Sequence, residues 1–161
     1  MSLYNIREAT EKDIDAIAKV YNSNYKFLVN HLGVEFVDNL FIANEMAEMR
    51  TAQFISCVIV DIQTNDIVGV LDYKPDDTVY LSLLMIDSKQ QKSGLGSKVY
   101  KEFEESIRKL GKKAVRIDVV NDYVENVMGF WEKQGYVAKN EIKLSWGSKQ
   151  STANVMVKVF T

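Results

Sequence analysis

The chain has 161 residues, of which 47% are apolar and 26% charged, and its net charge is −2. That is enough chain for one domain with a sizeable core, with the composition of a soluble globular protein. A single cysteine, Cys57, and a single histidine, His31, exclude an internal disulfide and argue against a Cys/His zinc site, which usually takes four ligands.

No apolar run approaches the ~20 residues of a membrane span. The opening "MSLYNIREATEKD" carries charges early and lacks a signal-peptide core, so a cytoplasmic protein is expected. A Ser-His-Asp triad would have to use His31, and no G-x-S-x-G accompanies it. The acidic balance, with only one small lysine island, argues against duplex nucleic acid as a partner.

"LYNIRE" predicts a first strand. Thr10 reads as an N-cap with Asp13 as its capping-box partner, and Ile14, Ile17, Ala18, Tyr21, Tyr25 and Leu28 continue a helical stripe. A second helix is expected over about 35–49. Three strand-like runs follow, "QFISCVIVDI", "IVGVLDY" and "VYLSLLMI", joined by the turns "QTND" and "KPDDT". Turns that short imply antiparallel neighbours.

Leu95, Val99, Phe103, Ile107 and Leu110 then recur at helical spacing, and Gly111 sits where the helix should stop. "KAVRIDVV" reads as a strand, which makes a parallel crossover with the strand before the helix. Asp122 and Glu125 resemble a capping box, and Val124, Val127, Met128 and Trp131 share one face of the next helix, with Gly135 as its stop. "YVAKNEIKLSW" and "ANVMVKVF" close the chain as strands. The expected order is β-α-α-β-β-β-α-β-α-β-β, a single α/β domain over residues 1–161.

The helix after the fourth strand begins with two glycines, Gly94 and Gly96. Glycine costs roughly 0.8–1.0 kcal/mol against alanine in a helix, so something other than helix propensity favours it here. A helix N-terminus presents free N–H groups that attract anions, and glycine lets a ligand approach the backbone closely. Lys89, Lys92, Lys98 and Lys101 surround this start with no acid between Ser88 and Lys101. The combination points to a phosphate-bearing ligand. A dinucleotide fingerprint would need glycine where Val99 stands, and a Walker A loop would need Lys directly after Gly96, where Ser97 stands.

Gln91-x-x-Gly94-x-Gly96 after the central strand, "FWEKQGY" at 130–136 and "NIREATEKDIDAI" near the start together resemble the GNAT superfamily of N-acetyltransferases. The resemblance spans nearly the whole chain. It implies a mixed, mostly antiparallel sheet flanked by helices, and acetyl-CoA as co-substrate. It implies transfer of acetyl to a primary amine, in a small molecule or a peptide, by direct attack in a ternary complex.

Carried over, the pyrophosphate donors lie among Gln91, Lys92, Ser93, Gly94, Leu95, Gly96 and Ser97. The pantetheine arm would pair with Leu84, Met85 and Ile86, where the fourth and fifth strands splay. A backbone N–H near Met85 or Ile86 would stabilise the oxyanion. Asn126 and Trp131 are further cofactor-side candidates.

The chain also departs from the family. Trp131 stands where many members place a tyrosine that protonates the leaving thiolate, and indole N–H only donates hydrogen bonds. Tyr123 and Tyr136 are the nearest substitute acids. The family's asparagine on this helix falls on Val124, flanked by Asn121 and Asn126. The fourth strand offers Ser82 and no carboxylate as a base, which leaves a water chain to Asp76, Asp77 or Asp118. Tyr21, Asn24, Tyr25 and His31 are candidates for lining an acceptor pocket. No metal is called for, the acceptor's identity is open, and a homodimer is compatible with the reading. A CoA-binding regulatory module without turnover is the alternative.

Overall fold

In the computed structural model, the described residues are 3–91, 94–122, 127–146 and 149–161. Seven strands form one sheet in the order β1-β2-β3-β4-β5-β7-β6. They are β1 (Tyr4–Glu8), β2 (Ile55–Asp61), β3 (Ile67–Lys74), β4 (Thr78–Ile86), β5 (Ala114–Val120), β6 (Val137–Trp146) and β7 (Lys149–Val159). Every neighbouring pair is antiparallel except β4 and β5. This is the expected mixed, mostly antiparallel α/β architecture.

The helices are α1 (Ile14–Ser23), a single turn α2 (Tyr25–Phe27) that runs into a wider π-type turn at 28–32, α3 (Asn39–Thr51), α4 (Leu95–Lys109) and α5 (Met128–Lys133). The entry to α1 is pinned as its sequence suggests. Asp13 accepts from the Thr10 amide at 2.8 Å and from both guanidinium ends of Arg7 at 2.9 and 3.0 Å.

Each sheet face has its own core. The α4 face buries Ile59, Leu71, Leu81, Val99, Phe103 and Ile117 among others, matching the predicted α4 stripe except at Leu110, which is exposed. The α1/α3 face buries Ile17, Val20, Leu28, Ile42, Val58 and Val70.

Three further expectations need correction. The first helical stripe does not run on to Tyr25, which is exposed, because the helix breaks at Asn24 (φ −105°, ψ 66°). The second helix starts at Asn39 instead of about 35, because the Asp38 side chain accepts from the Phe41 amide at 2.8 Å and caps the helix there. Val127 is exposed and so is absent from the buried face of α5. Val124 and Glu125 lie outside the described residues.

Candidate active site

The sheet is forked at its centre. β4 and β5 pair only through Thr78–Ala114, Val79–Val115 and Tyr80–Arg116. Beyond that point the strands part. Leu81 and Leu83–Ile86 keep only their β3 partners, and Ile117–Val120 keep only β7. A bulge at Ser82, between the Asp72–Leu83 and Tyr73–Leu81 pairs, bends β4 where the fork opens. The Ser82 hydroxyl donates to the Asp72 carbonyl at 3.2 Å.

Strand alternation determines which backbone groups look into the fork. The Asp87 amide donates to Val68 on β3, and the Met85 carbonyl also points at β3, close to Gly69. Leu84 and Ile86 therefore direct their amides and carbonyls away from β3, toward the opening. Of the three candidates on this strand, Met85 presents its backbone to β3 and its side chain to the α1/α3 core.

The Ile86 carbonyl, deprived of a strand partner, accepts from Asn24 Nδ2 at 3.0 Å and from Gln91 Nε2 at 3.1 Å. Gln91 Nε2 also reaches Asn24 Oδ1 at 2.6 Å. The Gln91 side chain is thus turned inward, toward the end of β4.

Past Gln91 the chain enters α4 through Gly94, whose φ of +76° is a left-handed conformation that disfavours a side chain. The first ladder bond of α4 is Lys98 N–H to the Gly94 carbonyl, so the amides of Leu95, Gly96 and Ser97 precede the ladder. A Cβ on Gly94 would meet nothing within 4 Å, and one on Gly96 would only touch the Phe130 ring at 3.6 Å. The protein interior therefore does not demand glycine at 96.

Lys89, Lys98 and Lys101 are exposed around this helix start. Leu95 is buried by its side chain, leaving only its backbone for a ligand, and Ser97 accepts from Gln134 Nε2 at 3.1 Å. Lys92 and Ser93, candidates from the same motif, lie outside the described residues, as do Tyr123 and Asn126.

Trp131 is 8% exposed and stands edge-on to Tyr100, Phe130 and Tyr136, with centroids 4.9–5.5 Å apart. The Tyr136 hydroxyl is 2.7 Å from that of Tyr100, inside the core. Burial raises both phenols above their ordinary pKa.

On the other face, Tyr80 donates to Asp118 Oδ2 at 2.8 Å, and Arg116 holds the same carboxylate at 2.9 and 3.0 Å. Asp76 lies 4.0 Å from the Lys74 ammonium, and both Asp76 and Asp77 are exposed on the β3–β4 turn. His31, in the turn that packs on β7, lies against the Phe27 ring at 4.4 Å. Burial lowers its pKa to about 4, so the imidazole is neutral at pH 7.

Sequence reasoning missed Tyr80, Arg116 and Asp72. Asp72 lies beneath α1 and α3 beside a cavity of ≈ 20 Å³, room for about one water, lined also by Tyr21, Glu45, Ser56 and Cys57. Its side chain keeps some accessible surface, but its depth governs desolvation, and burial raises its pKa to about 7. A lone acid inside "IVGVLDY" was the available signal. Tyr80 carried none. Cys57 is buried, and its thiol is pushed up to about 12 by burial, then by Asp72 and Glu8, so it does not form a ready thiolate. Among the described residues no three His, Cys, Asp or Glu side chains could hold a metal ion, and no helix is long and apolar enough to cross a membrane.

The model of the acetyltransferase (GNAT) family matches residues 15–136. Solved structures share the fold at low identity. An acetyltransferase from Thermus thermophilus is 18% identical with a TM-score of 0.78, covering 99% of this chain and 98% of its own. A Salmonella typhimurium acetyl transferase that modifies the N-terminal serine of ribosomal protein L7/L12 is 13% identical with a TM-score of 0.78, covering 100% and 97%. YncA of Salmonella typhimurium, described as a putative acetyltransferase and solved with its cofactor acetyl-CoA, is 15% identical with a TM-score of 0.67, covering 99% and 95%. No curated protein matches the sequence.

Proposed function

The chain belongs to the GNAT family of acetyltransferases, and from that premise we propose that it moves an acetyl group from acetyl-CoA to a primary amine by direct attack in a ternary complex. The observation that carries the reading is the β4–β5 fork opening beside the Gly94 entry to α4. When bound, acetyl-CoA supplies an acetyl thioester, whose C–S bond breaks as the amine nitrogen forms a C–N bond, the nitrogen losing one proton and the sulfur gaining one.

The chain's own residues supply binding and polarisation. The amides of Leu95, Gly96 and Ser97, the helix dipole and the lysines at 89, 98 and 101 suit a pyrophosphate. The fork-facing amides of Leu84 and Ile86 suit an amide-bearing arm and a developing oxyanion, work worth ~3–4 kcal/mol in measured cases. With the Cys57 thiol held protonated, no acyl-enzyme is called for.

Proton handling is where this chain is sparing. An amine of pKa ~10.4 costs about 4.6 kcal/mol to deprotonate at pH 7. Ser82 is no base, and Asp118 is already engaged by Tyr80 and Arg116. Water is the simplest acceptor of that proton. The sequestered Tyr136 hydroxyl and the indole at Trp131 favour a second reading, a CoA-binding module with little turnover.

Thiol release from acetyl-CoA, measured with polyamines, aminoglycosides, amino acids and peptide N-termini, tests the proposal. Turnover with any class of amine supports it. Calorimetric binding of acetyl-CoA with no turnover favours the module. Absence of both binding and turnover refutes both readings.

A further inference from the structure

Asn24 sits where α1 breaks into α2, and its side chain joins the end of α1 to the 86–91 segment, more than sixty residues on. Its Nδ2 donates to the Val20 carbonyl at 2.8 Å, closing α1, and to the Ile86 carbonyl at 3.0 Å, at the open end of β4. Its Oδ1 accepts from Gln91 Nε2 at 2.6 Å. Next to it, the Ser88 amide donates to Ser23 Oγ at 3.1 Å. The α1–α2 junction is therefore bonded to both sides of the segment that leads from the fork into Gly94 and α4.

Two physical needs meet here. The Ile86 carbonyl lost its strand partner to the fork, and an unpaired carbonyl near the core is costly. Asn24 and Gln91 both satisfy it. Asn24 also adopts a backbone conformation that is neither helical nor extended, and it ends α1 just before Tyr25. Any shift of Gln91 must stretch or break its bond to Asn24 Oδ1 and its share of the Ile86 carbonyl.

We propose that Asn24 is a positioning residue that couples the 25–32 segment, which follows it directly in the chain, to the phosphate loop. CoA binding would then order that segment, and the segment would in turn tighten CoA binding, as reciprocal linkage requires. The coupling rests on the acetyl-CoA reading of the fork. Asn24 touches no reacting atom. It acts by fixing Gln91 and the Ile86 carbonyl.

The test uses free CoA with the parent, Asn24→Ala, Gln91→Met and the double variant Asn24→Ala/Gln91→Ala with its Gln91→Ala single. Gln91→Met keeps the side-chain length, adds no charge, removes both donated hydrogen bonds and leaves α1 untouched. Calorimetry should show CoA affinity falling about tenfold in each single variant, the loss expected of one or two hydrogen bonds. The double variant should lose little more than either alanine single. Hydrogen exchange over residues 25–32 should slow when CoA is added to the parent and stay unchanged in Asn24→Ala and Gln91→Met. If the folded variants bind CoA as the parent does, or if residues 25–32 gain equal protection in all of them, the coupling is absent. If the parent itself does not bind CoA, the reading of the fork fails first and takes the coupling with it.

Discussion

Tyr80 on β4 and Asp118 on β5 are joined across the base of the fork, hydroxyl to carboxylate at 2.8 Å, just beyond the last backbone pair, Tyr80–Arg116. The Asp118 side chain is only 3% exposed, while Arg116 on the same carboxylate is 41% exposed. A side-chain bond thus takes over where the ladder stops. Tyr80→Phe is expected to cost about 1 kcal/mol in urea unfolding, one hydrogen bond lost. Asp118→Ala should cost roughly 1–3 kcal/mol, because it strands the half-buried Tyr80 hydroxyl, while the 41% exposed Arg116 side chain can turn to solvent. Equal, negligible losses in both would mean that the bond does not hold the base of the fork.

The Asp72 carboxyl makes stability depend on pH. Burial raises its pKa from 3.8 to about 7, with Glu45 adding repulsion and Ser56 opposing it through a hydrogen bond. The folded protein thus holds a proton that the unfolded chain has released between about pH 4 and pH 7. Stability from this group is full below that window and is lost as pH rises through it. Asp72→Asn keeps the shape and removes the titration. Relative to the parent, the variant should gain roughly 3 kcal/mol on going from pH 5 to pH 8. Chemical denaturation at the two pH values measures this, and a constant difference would contradict it.

Gly96 separates folding from ligand binding. A Cβ there meets only the Phe130 ring, at an ordinary 3.6 Å. Gly96→Val is therefore expected to change stability by no more than about 1 kcal/mol, while acetyl-CoA affinity falls by more than about tenfold as the branched side chain covers the helix-start amides. Unchanged affinity would remove the cradle from the site. Gly94→Ala behaves differently. Space is open around it, but φ of +76° should cost about 1–2 kcal/mol of backbone strain.

Tyr136 tests the proton-donor question directly. Its hydroxyl is spent on Tyr100, which also reaches Glu104 at 3.1 Å. Tyr136→Phe should lower stability by about 1 kcal/mol and leave acetyl-CoA turnover unchanged. A large loss of turnover at unchanged acetyl-CoA affinity would make Tyr136 a proton donor after all.

The sequence by itself determined the order of elements, the α4 stripe of Val99, Phe103 and Ile107, the Thr10–Asp13 helix entry and the glycine pair at 94 and 96. Each of these depends on spacing of a few residues, which helix and strand periodicity translate directly into structure. The tertiary structure decided the rest. Tyr25 left its stripe because the Asn24 side chain closes α1 on Val20 while reaching Ile86 and Gln91, more than sixty residues away. The fork, the bulge at Ser82 and the Tyr80–Asp118 bond arise from the register between strands. The burial that lifts Asp72 arises from two helices laid over β3. Register and layer packing are settled by the joint burial of side chains far apart in the chain, so no local window of sequence contains them.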